Sequence, residues 1–160
     1  MNRLTRRHWM AFGVVCAMTL SSCSDRLSDS TPAKVLESYV QTSFNIKGPE
    51  DKKKMEDLLT GDTKTRLTTW SDEQFMKAFV ETKKKFSGLK ILESKKVSDK
   101  EYALTYELSY QEGPQDHLAD VTQRKLCSIV QNEDGAWRIK EVRSIRESIE
   151  YLKEFSPLTL

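Results

Sequence analysis

The stretch EYALTYELSY, residues Glu101–Tyr110, decides the fold. Tyr102, Leu104, Tyr106, Leu108 and Tyr110 alternate strictly with Ala103, Thr105, Glu107 and Ser109. Side chains two apart along a strand share a face, so this is a β-strand with one apolar face and one mostly wet face. A strand of that kind needs neighbours and a covering layer. Both are legible on either side of it.

Downstream, Gly113-Pro114 makes a turn. A further strand is expected from about Leu118 to Gln131. Its apolar parity slips between Val121 and Leu126, which a bulge within that strand would explain. NEDG, residues 132–135, is a hairpin loop with a glycine available for positive φ. Trp137, Ile139 and Val142 open a fourth strand. Ile149, Leu152 and Phe155 are roughly in helical phase, so Glu147 to Phe155 is expected as a terminal helix.

Upstream, Leu89 to Val97 reads as the first strand. Before it the period is helical. Thr31-Pro32 starts a helix in which Val35, Leu36, Tyr39, Val40 and Phe44 face a core. A second helix is expected over Glu50 to Leu59, with Met55, Leu58 and Leu59 inward. Gly61-Asp62 makes a turn before a short helical or irregular piece containing Leu67 and Trp70. Ser71-Asp72-Glu73-Gln74 is a capping box that opens a third main helix carrying Phe75 and Phe79, expected to end through KKKF near Gly88. Helices followed by an antiparallel meander predict an α+β domain: N-terminal helices packed on a curved sheet of about four strands.

The first thirty residues are of another kind. Arg3, Arg6 and Arg7 precede the apolar run Met10 to Leu20. That run suits a signal-peptide core and is shorter than the ~20 apolar residues of a membrane span. Leu20, Ser21, Ser22 and Cys23 resemble the lipobox of bacterial lipoproteins. The resemblance implies cleavage before Cys23 and acylation of its thiol, commonly of its amino group too. More than one acyl chain gives stable membrane attachment. It divides the chain into a signal peptide, residues 1–22, a flexible tether, residues 23–30, and a single domain, residues 31–160. In bacterial lipoproteins an aspartate after the lipid cysteine retains the protein in the inner membrane, so with Ser24 there the resemblance implies the outer membrane, periplasmic-facing, with the inner membrane as the alternative.

Removing residues 1–22 leaves 138 residues, with 23 basic against 24 acidic side chains, a balance of −1. The basic character of the whole chain is thus partly that of the signal, and it argues for no nucleic-acid partner. Of three cysteines, Cys16 leaves with the signal and Cys23 carries lipid, so Cys127 alone remains, expected as a small buried hydrophobe. One histidine remains, His117, and there is no C-x-x-C, so no metal is expected. The lysine clusters at 52–54 and 83–85 have glutamates nearby and read as solvated helix faces.

TPAKVLESYV, residues 31–40, and LCSIVQNEDGAWRIKEV, residues 126–142, resemble the nuclear transport factor 2-like superfamily and its cystatin-like cone. The shared features are the opening helix and a closing hairpin with an acidic-Gly turn followed by Trp and an aliphatic residue. The resemblance implies a sheet wrapped on a long helix and a conical pocket. Some members are isomerases, hydratases or dehydratases; others bind ligands or dimerise.

Catalysis in such a pocket needs an inward carboxylate or histidine whose pKa burial can tune. The Tyr102–Tyr110 face supplies neither. His117 and Asp120 are the nearest acid–base pair, but three residues apart in a strand they point to opposite faces. No G-x-S-x-G elbow and no phosphate-cradling glycine loop occurs, so no cofactor is expected. Tyr102, Tyr106, Tyr110 and Trp137 read as core residues able to line a pocket. The expectation is a lipid-anchored binding or interaction domain without catalysis. The alternatives are a small-pocket isomerase or hydratase, and a subunit of an envelope complex that pairs with itself or a partner through the open sheet face.

Overall fold

The computed structural model describes residues 31–82, 84–114 and 118–152. Helices come first: α1 (Pro32–Phe44), α2 (Lys52–Asp57), α3 (Gly61–Thr69) and α4 (Asp72–Phe79), with a single 3-10 turn at Pro49–Asp51. Four strands follow, β1 (Lys85–Ser98), β2 (Glu101–Glu112), β3 (Ala119–Gln131) and β4 (Trp137–Tyr151). They form one antiparallel sheet in the order β1-β2-β3-β4. The domain is α+β, with β2 and β3 as inner strands and β1 and β4 at the edges of the sheet.

The helix starts follow the sequence closely. The Thr31 hydroxyl accepts from the Lys34 N–H at 3.3 Å, and Pro32 occupies the first turn, where its missing N–H is not needed. Both bonds of the Ser71–Gln74 capping box form, at 2.9 and 3.2 Å. Met55, Leu58 and Leu59 are buried as expected, but the second helix is shorter than Glu50 to Leu59. Leu58 and Thr60 leave it to bond the edge of β4: Ile139 N–H donates to Leu58 O and Thr60 N–H to Ile139 O, both at 2.9 Å.

Two expected helical segments are strand instead. The helix opened by Ser71 stops at Phe79, and Lys85 to Gly88, expected to close it, belongs to β1. The cause is the length of β2: Gln111, Tyr110 and Ser109 take Lys85, Phe86 and Gly88 as ladder partners. Likewise Glu147 to Tyr151, expected in a terminal helix, is the end of β4, paired with Gln123 back to Ala119. Residues 153–155 of that expectation lie outside the described residues. Beside the full length of β3, Glu147 to Tyr151 finds a row of ladder partners, and this tertiary pairing outweighs a weak helical phase.

One hydrophobic core joins the layers. Val35, Leu36 and Val40 of α1, Met55 of α2, Leu67 of α3 and Phe75 of α4 share it with Leu104, Tyr106, Leu108 and Tyr110 of β2. Val121, Cys127 and Ile129 of β3 and Ile139 of β4 complete it. The decisive stretch thus turns its apolar face to the helices. The β3–β4 hairpin closes through Gly135 at φ 80°, a left-handed conformation that glycine adopts freely. Asn132 N–H donates to Ala136 O at 2.9 Å, and Asp134 Oδ1 accepts from Ala136 N–H at 2.9 Å.

The bulge expected within β3 is not there: β2 and β3 pair without a shift from Glu101–Val130 to Glu112–Ala119. The irregularities against β3 fall on β4, where Ile145 and Lys140 are skipped in the ladder. β3 therefore keeps one parity throughout, and Ala119, Val121, Gln123, Lys125, Cys127 and Ile129 all share the core-side face. The apparent slip in the sequence is two polar residues facing inward.

Candidate functional site

Those two residues open onto a cavity of about 160 Å³. Gln123 and Lys125 of β3 line it with Tyr106, Leu108 and Tyr110 of β2 and Val142 of β4. The helical wall is Tyr39, Val40, Ser43 and Phe44 of α1, with Ala78 and Phe79 of α4 and Thr82 and Lys84 beyond it. The walls are therefore mainly aromatic and aliphatic, and the polar groups are amide, hydroxyl and ammonium. A larger hollow beside Thr60 and Gln131–Asp134 follows the exposed hairpin turn.

Each wall is positioned by core packing. Tyr106 is 1% exposed and Tyr110 is 4% exposed, anchored by their strand neighbours. Phe44 packs on Tyr110 at 5.7 Å between ring centroids, and on Phe86 at 5.4 Å. Phe79 is held by Phe75 at 5.0 Å and Trp70 at 6.3 Å. These tilted geometries are favoured contacts between ring quadrupoles.

Burial shapes the electrostatics. It pushes the Tyr39 hydroxyl up to about 12, with the nearby Cys127 thiol adding to the effect. Burial first, then Glu112 and Glu147, pushes Tyr110 up to about 12. Tyr106 is raised further still, again by burial. These phenols stay protonated and able to donate at neutral pH. Lys125 moves the other way: burial and the nearby Lys84 ammonium lower its pKa, against the pull of Glu147. Gln123 Nε2 donates to Glu147 Oε2 at the same rim.

The two lysines of the lining are not equivalent. Lys84 lies 3.5 Å from Glu112 and sits over the Tyr110 ring, 5.1 Å from its centroid. Among the described residues Lys125 forms no salt bridge. A lysine on the inner face of a central strand, among apolar walls, carries a desolvation cost that favours an anionic counterpart.

Of the four aromatic residues expected at a pocket, Tyr106 and Tyr110 line the cavity. Tyr102 and Trp137 instead pack edge to face on each other at 5.4 Å, nearer the hairpin end of the sheet. Asp120 is on the face of β3 opposite Val121, away from the core, and His117 lies outside the described residues. Cys127 is fully buried, and burial pushes its thiol up to about 12. Cys23 and the Leu20, Ser21 and Ser22 that precede it lie outside the described residues.

Gln123, Lys125, Tyr39 and Ser43 were not marked by the sequence as site residues. The interrupted parity of β3 was the available signal: polar residues in phase with a buried face mark local rules broken at a site. Among the described residues no cluster of three or more His, Cys, Asp or Glu side chains is placed to hold a metal. Nor is any described helix long and apolar enough to cross a membrane. In comparisons with known proteins, no family model and no curated protein matches the chain.

Proposed function

We propose that the protein is a bacterial lipoprotein whose domain binds a small ligand without transforming it. The placement of Gln123 and Lys125 on the inner face of β3, open to the tyrosine-walled cavity, carries the binding half of this reading. The anchoring half rests on LSSC, residues 20–23, behind an arginine-led apolar run. Cleavage before Cys23 leaves a diacylated cysteine at the membrane, with the domain on the periplasmic side of the outer membrane. α1 against the β2 and β3 faces supports a cystatin-like cone, with the cavity as its mouth. The charged groups of the lining are ammonium groups, a set suited to holding an anion rather than to paired-carboxylate acid–base work.

Intact-mass analysis of membrane and soluble fractions tests the anchor. The wild-type chain, expressed in a diderm host, should yield a mature form that begins at an acylated Cys23. The Cys23→Ser variant should leave the membrane fraction. A wild-type chain cut elsewhere, or not acylated, would refute it.

A further inference from the structure

We infer that the cavity selects a small monoanionic carboxylic acid with an aromatic or short aliphatic body, its carboxylate set against Lys125. The inference rests on the ligand-binding reading above and adds the chemical class.

Size comes first. A cavity of about 160 Å³ is close to the roughly 150 Å³ engineered cavity that accepts benzene. One ring, or a chain of similar volume, fits. The body of such a ligand meets Leu108, Val142, Phe44 and Phe79, with Tyr39, Tyr106 and Tyr110 completing the walls.

Charge comes next. Glu112 already engages Lys84 at 3.5 Å, whereas Lys125 has no ion-pair partner among the described residues. The lining thus offers one ammonium without an ion pair, drawn on from the rim by Glu147, whose carboxylate Gln123 already engages. A phosphate monoester brings nearly two negative charges and is best met by arginine forks, helix N-termini or more than one free ammonium, and Lys84 is already engaged by Glu112. The lining contains no arginine, and α1 and α4 contribute residues from their middles and C-terminal ends. A carboxylate matches one ammonium, with protonated tyrosine hydroxyls beside it as donors. Selectivity follows from desolvation, since a neutral analogue covers the half-buried ammonium without supplying a counterion.

The test uses the full chain in detergent micelles and three probes of one size: benzoate, benzyl alcohol and benzylamine. Titration calorimetry gives their affinities for wild type, Lys125→Met and Lys84→Met. Benzoate should bind best. Lys125→Met should weaken benzoate at least about tenfold, as expected for a hydrogen bond to a charged group, and leave benzyl alcohol unchanged. Lys84→Met should cost benzoate less, because Glu112 already engages that lysine. Thermal melts confirm that both variants fold. Equal affinity for benzoate and benzyl alcohol, or benzoate binding indifferent to Lys125→Met, overturns the carboxylate assignment while the cavity remains a ligand site. If none of the probes binds into the millimolar range, both the assignment and the ligand-binding reading fall.

Discussion

Lys125 stands directly opposite Tyr106 across the β2–β3 ladder, on the core-side face of two inner strands. An ammonium in that place opposes folding while it is charged. Its pKa is lowered by burial first and by Lys84 second, with Glu147 opposing. Lys125→Met should therefore stabilise the domain at neutral pH by about 0.5–1 kcal/mol, a common trade between a site and its scaffold. The sign can be checked by titration. The unfolded lysine holds its proton up to about pH 10.4, so wild type regains stability as pH rises from the native value toward that point. The gap between variant and wild type in urea midpoint should narrow over that range. A variant less stable than wild type at neutral pH would contradict this account of Lys125.

Cys127 is fully buried in the same strand, and burial raises its thiol to about 12. In a Cys16→Ser, Cys23→Ser background, a thiol reagent at about pH 8 should leave the native domain unlabelled and react fully in denaturant. A thiol whose folded pKa is raised contributes stability below its unfolded value near 8.5, and loses it as pH climbs toward the folded value. Cys127→Ser should cost about 1–3 kcal/mol, because it places a hydroxyl in an apolar site. Rapid labelling of the native protein would show that the strand opens locally.

Phe75 is the keystone of α4, fully buried and 5.0 Å from Phe79. Phe75→Ala should destabilise the domain by about 3–5 kcal/mol in chemical denaturation. Because Phe79 is part of the cavity wall, a low-temperature titration of the surviving folded fraction should also show weaker probe binding. A loss below ~1 kcal/mol would mean that the core around α4 recloses over the vacated space.

Asp51 ties the α1–α2 connection together. Its Oδ1 accepts from Lys54 Nζ at 2.6 Å and its Oδ2 from the Lys47 N–H at 2.9 Å. The Lys54 hydrogen bond, then that of Lys47, holds its carboxyl below the usual range. This contribution is present above the unfolded value of about 3.9, and is lost as pH falls through the lower folded value. Asp51→Asn should flatten the fall in urea midpoint between about pH 4 and pH 2 relative to wild type. Parallel curves would assign acid sensitivity to other carboxylates.

Local chemistry made much of this fold readable. Alternation at Tyr102–Tyr110, Pro32 after Thr31, the Ser71–Gln74 box and Gly135 each act within a few residues, and each appears in the structure. The errors arise where distant pairing decides. Phe86 and Ile149 carry no local strand signal strong enough to beat a helical phase, yet Tyr110 and Val121 draw both into the sheet. The site was half visible for a related reason. Tyr106 and Tyr110 stand out as an inward stripe, whereas Gln123 and Lys125 look like strand irregularity until the unbroken β2–β3 register shows where they point. Tyr39 and Ser43 read as ordinary residues of an amphipathic helix, because only the tertiary arrangement brings α1 over the strands.

The skipped residues Lys140 and Ile145 matter beyond the domain itself. A long exposed edge strand is a template on which further chains can assemble into fibrils, and irregular, charged edges suppress that growth. From Arg143 to Tyr151 the edge is exposed, yet Ile145 stands out of step in it, and Arg143, Arg146, Glu147 and Glu150 stud its length. At the opposite end Leu58 and Thr60 already cap Ile139. Edge-to-edge pairing of two such sheets would have to overcome a broken ladder and this row of charges.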